Sequence, residues 1–362
     1  MCADFTMREN LTKRQYLSRA GTAIGAAASI GLAGCSSSGG SETGTVEGPG
    51  SAYDETLPVL LPDGDIQIPF YLSPEVEEYF AEQAVDIEPQ VTAYEQSSRA
   101  LTTGSAQINP AAPAEWMTML DSGGDIDLVG GEVKQINGIF TLPGTDIEEP
   151  QDLEGATVGL PYLNSGTTKM MGAMLQDSYD IDIREDIEYE TAASSVIYDQ
   201  MVEDEALDAV MLWTGSTVKA LANDNVELVM DAIDHWTEAS GHAPMILNYG
   251  VRSDWLEEYP GSAVGYIRGW DNGVSWAFEE NQIENLYEQY GRLAGLTTDA
   301  EFNQLLELFD QGRVLMRDQS NWNEAFLDAQ WQLYNLMEET GFIDSAPSRD
   351  RGITHSELTD MM

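Results

Sequence analysis

Cysteine is almost missing from this chain: Cys2 and Cys35 are the only two among 362 residues. No disulfide framework and no thiol chemistry is available beyond residue 35. Basic residues are scarce as well, with 16 Lys and Arg against 63 Asp and Glu and a formal net charge of −47. A basic patch able to neutralise phosphates is therefore lacking, which argues against binding to nucleic acid or to an anionic membrane surface. No repeat of solenoid or propeller length is visible, so those architectures are not expected. Gly-x-Ser-x-Gly, Cys–His and phosphate-binding Gly-x-x-x-x-Gly-Lys patterns are also missing, and the carboxylates are too numerous to single out a catalytic pair.

What is present at the start is an address. Lys13, Arg14 and Arg19 precede an apolar stretch from Ala20 to Ala33 that ends in Leu32-Ala33-Gly34-Cys35. The stretch is too short to span a bilayer and reads as a signal peptide. Thr12-Lys13-Arg14-Gln15-Tyr16-Leu17 resembles a twin-arginine export signal in which lysine replaces the first arginine, and Leu-Ala-Gly-Cys resembles the lipobox of bacterial and archaeal lipoproteins. That resemblance implies lipidation of Cys35 and anchoring to the outer face of the cytoplasmic membrane. Residues 36–53 are dominated by Ser, Gly, Thr, Glu and Pro, which cannot bury enough apolar surface to fold, and are expected to form a flexible tether.

Removing the four basic and two acidic residues of 1–35 leaves 12 basic against 61 acidic residues, a net of −49. Such a charge makes the compact state repel itself at low ionic strength. At molar salt the Debye length shrinks to about 3 Å and the repulsion is screened. A halophilic source, an archaeon exporting by the twin-arginine route, is the expectation.

About 310 residues remain for the folded body, which at 42% hydrophobic residues can build a substantial core. Short apolar runs alternate with helical patterns, as an α/β fold requires. The spacing predicts strands at 65–71, 85–93, 107–109, 157–160, 187–190, 209–212 and 245–251, with an extended stretch over 127–142. Helices are predicted at 74–83 behind an N-cap at Ser73, and at 97–103, 113–120, 167–178, 194–203 and 217–222. From Asp254 onward the pattern is mostly helical.

Three stretches resemble the nitrate, sulfonate, taurine and thiamine-precursor family of periplasmic binding proteins. Asp152-Leu153-Glu154-Gly155-Ala156-Thr157-Val158-Gly159 looks like the strand that opens the family's second lobe. Asn164-Ser165-Gly166-Thr167-Thr168 stands where the family has a Ser-Gly-Ser/Thr loop. Ala206-Leu207-Asp208-Ala209-Val210-Met211-Leu212-Trp213 resembles its Asp-Ala…Trp signature, although Thr214-Gly215 replaces the usual Glu-Pro. Glu78-Tyr79-Phe80 and Leu101–Gln107 fit two further motifs more loosely. The resemblance implies a bilobal type II periplasmic-binding fold, two α/β lobes joined by two crossing strands. Lobe I would be 54–141 plus 248–362, and lobe II 142–247. It further implies a solute-binding lipoprotein that passes a small ligand to the permease and ATPase subunits of an ABC importer. The ligand would be anionic or polar, like a sulfonate, a nitrate or a pyrimidine precursor.

Ligands of open α/β sheets lie outside the carboxyl ends of strands. Asn164, Ser165, Gly166, Thr167 and Thr168 fall there, offering N–H groups and hydroxyls at a helix start suited to an anionic oxygen cluster; the alternative role is an ordinary N-cap. Phe70 and Tyr71, Asn109 beside Pro110, and Trp213 with Thr214 are further strand-end candidates that would either wall a ligand or pack the core. Asn137 and Asn248 fall in the expected crossings, as ligand contacts or hinge bonds. His235 and His242 are seven apart, not the helical zinc spacing, so no metal and no cofactor is expected. A monomer is expected. A receptor for a TRAP-type transporter and an enzyme of the same fold, forming a pyrimidine precursor, are the competing readings.

Overall fold

The computed structural model describes residues 53–121 and 123–362. The expected signal peptide, the lipidation site Cys35 and nearly all of the tether lie outside the described residues. Among those described, no helix is long and apolar enough to cross a membrane.

The strands, in chain order, are β1 (Leu57–Pro62), β2 (Ile87–Thr92), β3 (Ile108–Ala111), β4 (Ile126–Lys134), β5 (Gly138–Thr141), β6 (Thr157–Leu160), β7 (Glu188–Thr191), β8 (Ala209–Leu212), β9 (Glu227–Asp231) and β10 (Met245–Arg252). Lobe I carries a parallel β1–β2 pair and an antiparallel sheet in the order β3-β10-β4. Pro110 cannot donate to a ladder. The Asn109 side chain joins β3 to β1 instead, accepting from the Leu60 N–H at 2.8 Å and donating to the Leu60 carbonyl at 3.2 Å. Lobe II carries a five-stranded sheet, β7-β6-β8-β5-β9, in which β6 runs parallel to β7 and β8 while β5 runs antiparallel to β8 and β9.

The chain crosses between lobes twice, at 135–137 and at 241–244. Gln135 N–H ties the crossings together by donating to the Pro244 carbonyl at 2.8 Å, and Ala232 N–H, at the start of helix Ala232–Ser240, donates to the Asn137 carbonyl at 3.0 Å.

One expectation is corrected here. Residues 65–71 are not a strand; Ile68–Tyr71 is a helical turn with Pro69 near its start, where the fixed φ of proline suits a helix. The first strand is the apolar run at 57–62. The C-terminal part, expected in lobe I, also touches lobe II: helix Glu324–Glu339 packs on helix Gly166–Tyr179. Gly172 makes room for this cover: a Cβ there would stand 2.5 Å from the Phe342 ring. The predicted strand at 157–160 and the one at 209–212 coincide with β6 and β8, and Ser73 accepts from the Val76 N–H as the expected N-cap. β9 and helix Ala232–Ser240 had no counterpart in the sequence reading.

Lobe I is filled by an aromatic core in which Phe70, Tyr71, Phe80, Tyr249, Tyr266, Trp270 and Phe309 are all buried. The core beneath lobe II is rich in methionine, with Met170, Met171 and Met174 against Tyr334 and Met337.

Candidate functional site

Lobe II meets the cleft with three helix starts. Strand β6 runs into helix Gly166–Tyr179, β7 into helix Ser194–Val202 and β8 into helix Thr214–Leu221. The first N–H groups of a helix have no acceptor inside it and carry its positive partial charge. Ser165 caps the first helix, accepting from the Thr168 N–H at 3.2 Å and donating to the Pro161 carbonyl at 2.7 Å. The Thr168 hydroxyl donates to the same carbonyl at 2.8 Å. Both hydroxyls are thus consumed inside the loop. Thr167 differs: its Oγ1 accepts from Asn137 Nδ2 at 3.1 Å, which leaves the hydroxyl proton free to donate.

Between the lobes lies a cavity of about 520 Å³. Gly166, Thr167, Ser194, Ser195, Trp213, Thr214, Gly215 and Tyr162 line it from lobe II, and Asp63, Gly64, Asp65, Tyr94, Ala112, Arg292 and Thr297 from lobe I. Tyr94, Trp213 and Tyr162 form one aromatic wall, with ring centroids 6.1 Å apart for Tyr94–Trp213 and 6.4 Å for Tyr162–Trp213. Trp213 is fixed through its N–H, which donates to Ser194 Oγ at 3.2 Å. Two residues of this wall hold backbone conformations unusual for side chains with a Cβ, Tyr162 at φ 46° and Thr214 at φ 37°. Such strain persists where surrounding structure enforces it, often at ligand sites.

The lobe I side is acidic. Asp65 is half-buried, with Oδ2 accepting from Gln67 Nε2 at 3.2 Å. Burial, with the Glu115 carboxylate adding to it, pushes its pKa up to about 7. Glu115 is itself raised by burial, against hydrogen bonds from the Tyr94 hydroxyl and the Ala112 N–H. Beneath the floor, Glu132 is fully buried and its pKa is pushed up to about 8, mainly by desolvation. Its Oε1 accepts from the Tyr249 hydroxyl at 3.2 Å, while Oε2 has no hydrogen-bond partner among the described residues.

Of the residues expected at the site, Gly166, Thr167, Trp213 and Thr214 line the cavity. Ser165 and Thr168 shape the loop behind them. Asn164 is exposed and outside the lining, Asn137 positions Thr167, and Asn109 ties β3 to β1. Phe70 and Tyr71 are core residues: the Phe70 ring packs on Trp270 and Phe309 at 5.9 and 6.1 Å, and the Tyr71 hydroxyl bonds Tyr249 at 3.3 Å. Asn248 is buried within β10 beside the Tyr334 hydroxyl. Sequence reading missed Asp65, Tyr94, Tyr162 and Arg292. The first three follow the ends of β1, β2 and β6; a correct placement of β1 would have exposed Asp65, whereas Tyr94 and Tyr162 follow strands that were placed correctly. A second cavity, of about 390 Å³, lies behind the crossings between Lys134, His242 and Arg317. There Lys134 Nζ donates to the Gly312 carbonyl at 2.5 Å, and Arg317 donates to the Phe309 carbonyl at the end of helix Asp299–Asp310.

Comparison with known proteins agrees with this architecture. The profile of the family described as NMT1/THI5 like matches residues 67–282. No curated protein sequence matches the chain. Among solved structures, the periplasmic aliphatic sulphonate binding protein SsuA from Escherichia coli superposes with a TM-score of 0.64 at 16% identity, covering 82% of this chain and 91% of that one. The alkanesulfonate-binding protein SsuA from Xanthomonas axonopodis pv. citri, bound to MOPS, gives 0.62 at 13% identity over 83% and 99% of the two chains. A mutant of DSZB in complex with biphenyl-2-sulfinic acid gives 0.57 at 12% identity over 85% and 99%. The chain belongs to the NMT1/THI5-like family and has the periplasmic-binding-protein fold.

Proposed function

We propose that this protein is the solute-binding component of an ABC-type importer and that it holds a small organic solute in the interlobe cleft. The observation that carries the proposal is the cavity of about 520 Å³ lined by both lobes. Its volume suits a small molecule, and enclosure between two lobes couples capture to their closure. The starts of helices Gly166–Tyr179, Ser194–Val202 and Thr214–Leu221 favour an anionic or strongly polar end on lobe II, where N–H groups bind oxygen without a basic side chain. The sulfonate binding named for two of the structural neighbours supports that chemistry. A binding role rather than turnover is supported by the sulfonate-binding proteins among the structural neighbours.

The same proposal puts the body outside the cytoplasm, held at the membrane by a lipid on Cys35 and working in molar salt. That part rests on the Leu32–Cys35 lipobox, the twin-arginine-like Lys13-Arg14 and the net charge of −47. Native mass spectrometry of the protein purified from its own host in high salt tests the binding role. One small organic molecule per chain, released on unfolding, is the expected result. Protein that carries no adduct and gains none from host metabolite extract would refute it.

A further inference from the structure

The charges of the cleft are divided unequally. On lobe II, Lys219 is already neutralised by Asp199 at 2.9 Å and lies over the Tyr198 ring at 4.4 Å. Trp213 and Tyr162 complete that side with apolar faces. On lobe I, Asp65 lines the cavity with no cation in ion-pair range among the described residues, and Glu115 stands near it, occupied by the Tyr94 hydroxyl and the Ala112 N–H. Asp63 and Arg292, both exposed, line the same side.

A half-buried carboxylate beside aromatic faces is a poor neighbour for an anion. Removal from water raises the cost of its charge until a counter-charge arrives, and the face of an aromatic ring is the negative end of its quadrupole. Both features attract a cation, which a tryptophan face binds best. Resting on the reading of the cleft as the solute site, we propose that the solute carries a cationic nitrogen, a protonated or quaternary ammonium, seated on the faces of Trp213 and Tyr94 with Asp65 as its counter-ion. The solute's polar or anionic end then lies toward Thr167 and the helix starts of lobe II. The raised pKa of Asp65 agrees with a carboxylate whose partner arrives with the ligand.

The test uses the protein in molar salt with two probes, tetramethylammonium chloride and sodium methanesulfonate, each replacing sodium chloride at constant ionic strength. Thermal unfolding should show saturable protection by tetramethylammonium. Asp65→Asn, which keeps a side-chain oxygen for Gln67, should weaken it roughly tenfold or more. Trp213→Leu should weaken it too. Protection by methanesulfonate alone would overturn the cationic assignment and leave the cleft as the binding site. Tetramethylammonium protection that persists undiminished in both variants would also overturn it. So would a compound released from the native protein that contains no cationic nitrogen, protonated or quaternary.

Discussion

The two walls of the cleft are built by different rules. On lobe II the lining comes from three strand-to-helix turns, Tyr162 with Gly166 and Thr167 after β6, Ala193 to Ser195 after β7, and Trp213 to Ser216 after β8, with Lys219 one turn into the last helix. On lobe I, Asp63 to Asp65, Tyr94 and Ala112 follow β1, β2 and β3, but Arg292, Gly295 and Thr297 come from a loop between helices distant in sequence. The first wall supplies N–H donors, which any strand–loop–helix unit produces. The second supplies unpaired carboxylates, which only particular side chains produce. Under the proposed function, generic affinity for polar oxygen would come from the backbone of lobe II, and discrimination from the side chains of lobe I.

The walls meet at Gly215, and the largest effect is expected there. A Cβ on this residue would stand 2.8 Å from the Ala294 carbonyl oxygen and 3.5 Å from that of Gly64, both in lobe I. Gly215→Leu should hold the lobes apart while leaving the helix intact or slightly better formed. If closure is the binding-competent state, solute affinity falls roughly a hundredfold as that state becomes rare. Small-angle scattering should show a wider molecule with an unchanged melting temperature. Unaltered scattering and affinity would mean that this contact does not govern closure.

Beneath the lobe I wall, Glu132→Gln sharpens the contrast through pH. The carboxyl of Glu132 has its pKa raised from 4.5 to about 8 by burial. The folded state therefore binds a proton that the unfolded state has released, and stability contributed by this group is complete below the unfolded pKa and lost as pH rises through about 8. The amide has no proton to lose, so the variant should gain on the order of 1 to 3 kcal/mol over wild type on going from pH 5 to pH 8. Denaturant titrations at the two pH values, with the exposed Glu188→Gln as control for general charge repulsion, would reveal it. Parallel behaviour of both variants would count against a buried ionisable Glu132.

The smallest effect separates two neighbours in one loop. Ser165→Ala removes an N-cap and should lower stability by about 1 kcal/mol while affinity holds. Thr167→Ala should do the reverse, reducing affinity a few-fold to about tenfold through loss of one hydroxyl donor. Equal loss of affinity in both would show that the loop acts as a unit.

How much was legible in the sequence follows the same division. Lobe II could be read because its elements are local: Thr157–Leu160 lies between Gly155 and Pro161, Ala209–Leu212 follows Asp208, and Ser165 marks the helix start. The loop was found, but the split between the capping Ser165 and the free Thr167 depends on the Pro161 carbonyl and Asn137, contacts that periodicity does not encode. On lobe I, the run Leu57–Pro62 lay next to the expected tether and went unassigned, and the first strand was placed one element too late, over residues that turn at Pro69. That shift made Phe70 and Tyr71 look like strand-end residues, although they are core, and hid Asp63 and Asp65, which follow the real strand end. Short apolar runs do not distinguish strand from buried helix. Arg292 had no local signal, because only the folding of helix Asp299–Asp310 and its preceding loop against lobe II brings it to the cleft.

The central claim is that solute binds between the lobes, and a crystal structure grown in molar salt with the compound released from the native protein tests it most directly. The account predicts density bounded by Thr167 and Trp213 on one side and Asp65 and Tyr94 on the other. Density instead in the cavity behind the crossings, between Lys134 and His242, with the interlobe cleft holding only solvent, would contradict it.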